Sequence, residues 1–142
     1  MDKKEILAFI TKHLTAYVAT AEGNKPHVRT LGTYRADENG IIFSMQSDKD
    51  VYKQIVANPE TEICYYADDV KVQVRISGQM QQVTDMELKK EIAEARPFMK
   101  PGIEQNGWDY VGVFKVANAR ATVLDMKAPP PSSGAPKTWI DL

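Results

Sequence analysis

The sequence predicts a mainly β fold, a small closed or half-open antiparallel barrel whose ends are plugged by a few short helices. Three observations predict it. Six or so segments of β-branched and aromatic residues are separated by turn-forming clusters; two of them, 70–83 and 110–126, are long for a small domain; and only three short stretches carry helical periodicity.

The elements follow in order. Asp2 with Glu5 three residues later forms a capping pattern, and Ile6, Leu7, Phe9 and Ile10 recur at helical spacing, so the chain opens with a short amphipathic helix. Residues 14–20 read as a strand, with a hairpin turn at Glu22-Gly23-Asn24-Lys25-Pro26, where glycine favours positive φ and proline stops a ladder. Residues 27–35 and 41–45 flank Asp37-Glu38-Asn39-Gly40 and should pair antiparallel. Ser47 or Asp48 caps a helix through Ala57, which Asn58-Pro59 ends. Residues 62–66 and 70–83 are strands around Asp68-Asp69, with Gly78 marking a bulge or bend. Thr84 and Glu87 repeat the capping pattern before a third helix that Pro97 closes near Arg96. Asn106-Gly107 begins a turn into the last strand, 110–126. Residues 128–136 are too rich in Pro, Gly and Ser to pack a core. The expectation is one domain over 1–126 and a Pro-rich arm over 127–142.

Composition narrows the function classes. With 142 residues and 43% apolar content there is material for a single core. The formal net charge is −1 with no basic block, which argues against a surface that tracks nucleic-acid phosphates. The first 14 residues lack the apolar run of a signal peptide, and no segment approaches the ~20 apolar residues of a membrane span. A single cysteine, Cys64, excludes an intrachain disulfide and fits a reducing compartment; in its strand-like run it reads as a small core residue. The expected setting is cytoplasmic. Long strands leave faces that a partner can cover, so a homodimer is expected.

The chemistry concentrates in residues 25–59. On a strand, His27, Arg29 and Leu31 look one way while Val28, Thr30 and Gly32 look the other. Arg29 is either a solvated strand charge or part of an anion grip. Ser47 and the first amides of the following helix can face an anion, and Lys49 and Lys53, four apart, can converge on it from one helical face. A planar fork, a hydroxyl, free amides and two ammonium groups suit a phosphate dianion. His27, Trp108, Tyr110 and Trp139 read as packing residues or as covers of a nearby ligand. No spacing of His, Cys and carboxylates suggests a metal site.

The pattern Gly23-x-x-Pro26-x-x-Arg29, the Asn-Gly hairpin, Ile42-Phe43-Ser44, Ser47-x-Lys49-x-x-x-Lys53-Gln54-Ile55 and Asn58-Pro59 resembles the FMN-binding split β-barrel of the pyridoxamine 5'-phosphate oxidase-like superfamily. The resemblance implies a six-stranded antiparallel split barrel and FMN as cofactor. It implies that Arg29, Thr30, Leu31 and Gly32 run along the flavin, that Ser44 and Met45 line the next strand, and that Ser47, Lys49 and Lys53 hold the phosphate. Gln73 matches a glutamine that approaches the flavin from the other subunit, which places the site at a homodimer interface. The oxidases' arginine-rich terminus with Arg-x-His is replaced here by Ala119-Arg120-Ala121-Thr122 and the Pro-rich tail, so vitamin activity is not implied. The expectation is a flavin-dependent oxidoreductase acting on a small molecule with a nicotinamide donor or oxygen; the alternative is a non-catalytic flavin-binding, redox-sensing or stress-related module.

Overall fold

The computed structural model describes residues 1–130, 134 and 136–142; the part of the expected arm at 131–133 and 135 lies outside them. α1 (Lys3–Lys12) carries the expected reciprocal cap between Asp2 and Glu5, and it buries Ile6, Phe9 and Ile10. β1 (Thr15–Glu22) and β2 (Lys25–Asp37) form a hairpin with Gly23 at φ +58°. Pro26 does not stop the ladder: it stands inside β2 opposite Ala21. There β2 has an open edge, because β3 (Gly40–Gln46) pairs with it only from Thr33 onward, and a missing N–H is tolerated at such an edge.

α2 (Asp50–Ala57) starts later than expected, with Lys49 at the N-cap and no side-chain cap from Ser47 or Asp48. β4 (Glu60–Ala67) and β5 (Val72–Gln82) form the next hairpin, and the register shift at Gly78 confirms the bulge. α3 (Met86–Ala95) is capped by Asp85, not Thr84: the Asp85 carboxylate accepts the Glu87 N–H at 3.0 Å. A further helix, α4 (Lys100–Asn106), precedes β6 (Val111–Asp125), and a short β7 (Ile140–Asp141) adds to β6.

The strands run in the order β3-β2-β1-β4-β5-β6, and pairing of β3 with β6 closes a six-stranded antiparallel barrel. Closure removes most of the sheet's edge, leaving β2 open before Thr33, and lets alternate side chains fill the interior. Phe43, Ile63, Tyr65, Ile76 and Phe114 are wholly buried there, with Ile6 and Ile10 of α1 and Ile55 of α2 joining the same cluster. A second cluster lies outside the barrel wall, where α3 and the turn after it bring Ile92 and Met99 onto Ile42, Val111 and Val113. No helix among the described residues is long and apolar enough to cross a membrane.

Candidate functional site

β2 divides its side chains as alternation requires. His27, Arg29 and Leu31 are half-buried and Val28, Thr30 and Gly32 exposed. Arg29 is not a free anion grip. Its guanidinium donates to Thr20 Oγ1 at 2.8 Å, to Gln54 Oε1 at 2.5 Å and to the Val18 carbonyl at 3.4 Å, tying β1 to α2. Burial lowers its pKa against the pull of Asp50. Beside it, His27 Nε2 is buried without a hydrogen-bond partner, 3.6 Å from the nearest Glu22 carboxylate oxygen. Leu31 packs against the barrel core.

On β3, Ser44 and Met45 face opposite sides of the wall, so they cannot both line one cleft with their side chains. Met45 lies in the barrel core at 3% exposure. Ser44, on the other side, accepts from Arg96, whose Nη1 lies 2.5 Å from its Oγ and 3.3 Å from its carbonyl oxygen. A Cβ placed on Gly32 would meet only Arg96 Nη2 at 3.8 Å, so the guanidinium lies beside the exposed strip of β2.

Arg96 was legible only as the end of a helix. In the structure its guanidinium lies over the Tyr34 ring, 5.5 Å from the centroid, and Arg35 lies over the same ring at 5.8 Å. The Tyr34 hydroxyl donates to Glu91 at 2.6 Å, and burial followed by Glu91 raises its pKa. Burial lowers the pKa of Arg96. An arginine directly before a helix-ending proline is the one local signal that pointed to it; nothing local joined it to Ser44. Gln54, the acceptor shared by Arg29 and Thr20, was likewise missed as a site residue.

The structure brings Ser47 and Lys53 together in a pocket of about 320 Å³ with Asp48, Asn106, Asp109 and Tyr110. The Ser47 N–H is not free for an anion, because it donates to the Tyr110 carbonyl at 2.9 Å, and the Lys49 N–H donates to Gln46. Lys49 is exposed at the N-cap, its carbonyl accepting the Lys53 N–H at 3.3 Å, and it does not line this pocket. Gln73 lies elsewhere, on β5, lining a separate pocket of about 380 Å³ with Arg75 and Thr122 under the described part of the arm. Three strand steps separate β5 from β2, about 14 Å at ordinary strand spacing. Trp108 lines a groove between α3 and α4. Cys64 sits half-buried on the barrel's outer face, opposite Tyr17 and Arg75 and outside the core.

The donor set suits a flavin mononucleotide. An exposed, glycine-bearing strand edge is flanked by Arg96 and Ser44, and a hydroxyl-and-lysine pocket stands at the end of β3. The buried His27 nitrogen without a partner lies on the opposite face of β2 and does not belong to this strip. Two aspartates in the Ser47 pocket, Asp48 and Asp109, oppose an anion, so any phosphate there depends on Lys53.

A family model described as pyridoxamine 5'-phosphate oxidase matches residues 2–122. Among solved structures, the chain is similar to a NimC/NimA family protein from Clostridium acetobutylicum, at 23% identity and TM-score 0.76, over 98% of this chain and 92% of that one. It is similar to a pyridoxamine 5'-phosphate oxidase-related, FMN-binding protein from Nostoc punctiforme, at 16% identity and TM-score 0.65, over 99% and 96%. It is also similar to PhzG from Burkholderia lata, solved with tetrahydrophenazine-1-carboxylic acid, at 12% identity and TM-score 0.66, over 98% and 89%. At these identities the likenesses show a shared barrel, while the family match spans most of the sequence: the chain belongs to the pyridoxamine 5'-phosphate oxidase family.

Proposed function

We propose that the chain binds FMN and acts, as a homodimer, as a flavin-dependent oxidoreductase on a small molecule. The observation that carries this reading is the exposed Thr30–Gly32 strip of β2 lying beside Arg96 and Ser44. Backbone groups of Thr30 and Leu31 would meet the edge of the ring, and Ser47, Lys49 and Lys53 would hold the phosphate. Arg29 braces the site from beneath by joining Thr20 and Gln54. Bound FMN would supply hydride or electron transfer; the protein supplies placement, charge and access. Arg96, a half-buried cation, would meet an anionic substituent of the substrate, which charge-assisted bonding favours.

The homodimer has two supports. A row of paired residues, Thr30, Tyr17, Cys64, Arg75 and Thr122, crosses five strands of the outer face. Around it, Val28, Tyr17, Tyr66 and Leu124 stand exposed, an apolar surface of the kind that marks association. Gln73 would also reach a flavin on β2 only from a second copy. Arg120 does not stand in for the oxidases' substrate arginine, because it pairs with Asp141 at 3.6 Å and lies under the Trp139 ring. The substrate is therefore proposed to differ from the vitamin.

Titration with FMN and with riboflavin, followed by flavin fluorescence, tests the reading. Stoichiometric FMN binding should be weakened about tenfold by Lys53→Ala, the size of one lost charge-assisted contact, while riboflavin binding changes little. A protein that ignores FMN overturns it. Bleaching by NADH or NADPH and reoxidation with turnover would mark an enzyme, and bound flavin without turnover would leave the binding module.

A further inference from the structure

We propose, resting on the flavin reading of the β2 strip, that the substrate carries a carboxylate, a planar monoanion held by the Nε–Nη2 edge of Arg96 beside Gly32. The arginines of the chain differ in what their neighbours leave unspent. Arg35 pairs with Asp37 and Glu91, Arg75 with Glu62 and Arg120 with Asp141. Arg29 spends both terminal nitrogens on Val18, Thr20 and Gln54. Arg96 spends only Nη1, on the hydroxyl and carbonyl oxygens of Ser44. Among the described residues it has no carboxylate partner, and its Nε and Nη2 meet no acceptor while staying open to solvent. Burial lowers its pKa, and the group that opposes this is Tyr34, not a carboxylate. A half-buried cation without a counter-ion has lost hydration that nothing in the chain returns, and an anion on the open edge returns it.

That edge is held before any ligand arrives. Arg96 stands at the C-cap of α3, where its N–H donates to the Ile92 carbonyl at 2.8 Å, and Met99, buried in the following turn, anchors the chain beyond it. The guanidinium is fixed by Ser44 and by the Tyr34 ring, whose hydroxyl is itself tied to Glu91. A fork already in place lowers the ordering cost of binding.

Geometry and charge select the occupant. Nε and Nη2 present two parallel N–H bonds, which match the two oxygens of a carboxylate. Arg35 lies over the same Tyr34 ring, but its charge is met by Asp37 and Glu91, so it adds no second free cation. One uncompensated positive charge balances a monoanion, whereas a phosphate dianion would keep a charge unpaired and partly desolvated. A neutral amide offers one acceptor oxygen and no charge. The approach is open at Gly32, where the nearest atom to an added Cβ would be Nη2 itself at 3.8 Å.

Benzoate is the probe, titrated into the full chain with and without FMN while the Arg96 Nε–H and the Gly32 amide are followed by NMR. Saturable binding is expected at millimolar benzoate or below in both states, with benzamide and phenyl phosphate weaker. Arg96→Lys keeps the charge and loses the fork, so benzoate read at the Gly32 amide should weaken about tenfold, the scale of one charge-assisted contact. Should that variant not fold, the three probes compared on the unmodified chain carry the test. No saturable shift, equal binding of benzamide or phenyl phosphate, or unchanged affinity in Arg96→Lys each overturns the proposal. Displacement of benzoate by FMN also overturns it, since the edge then belongs to the flavin, and leaves the flavin reading intact. Benzoate binding by a chain that ignores FMN supports the carboxylate site and overturns the flavin reading alone.

Discussion

The Tyr65 hydroxyl lies wholly inside the barrel with one partner, Thr33 Oγ1 at 2.7 Å. Thr33→Val would keep the shape and remove that partner, leaving a buried hydroxyl unsatisfied; a loss of about 1–3 kcal/mol in chemical denaturation is expected. Burial also raises the Tyr65 pKa. The native state then holds that proton more tightly than the unfolded chain, so its contribution is complete below the ordinary tyrosine value of about 10 and falls as pH rises beyond it. A denaturation series through alkaline pH should show this decline. At the same scale, Ser44 and Arg96 show what alternation can and cannot say. Ser44 and Met45 were both expected to line the site, whereas alternation along β3 sends Met45 into the core, and no local pattern could say that a guanidinium 52 residues away would meet Ser44.

At the scale of elements, the helix missed in the sequence is instructive. No element is expected over residues 100–106 from the sequence; Pro101 and Gly102 are poor residues for a helix interior, but proline at a first helical turn loses no hydrogen bond, and α4 begins at Lys100. Gly102 is required for packing: a Cβ there would collide with the Tyr110 ring. Gly102→Ala should therefore destabilise the protein by about 1–3 kcal/mol through overpacking. Because Tyr110 lines the Ser47 pocket and its carbonyl accepts the Ser47 N–H, the same variant should perturb NMR signals of Ser47 and Lys53. Unchanged stability with unmoved signals would show that the ring yields freely. β7 escaped sequence reading for another reason. Two residues cannot display a period of two, and Ile140–Asp141 become a strand only because β6 offers Arg120 and Ala121 for pairing.

At the scale of the whole molecule, the outer face of the barrel predicts association. Tyr17 is 50% exposed and Val28 70%, both on strands otherwise well packed. On the proposed homodimer, a double variant, Tyr17→Asp with Val28→Asp, should shift the light-scattering mass from dimer to monomer and lower FMN affinity; an unmodified protein that scatters as a monomer overturns the proposal. The sequence by itself determined where six of the seven strands lie, which side chains of β2 share a face, the cap of α1 and the bulge at Gly78. These follow from local backbone periodicity and local hydrogen bonding, which neighbouring residues suffice to express. Only the tertiary structure decided that β3 closes on β6, that Arg29 is spent on Thr20 and Gln54, and that Arg96 comes to Ser44 beside the open strip of β2. Those choices depend on pairings between distant segments, where many partners satisfy the same local pattern and packing of the closed barrel selects one.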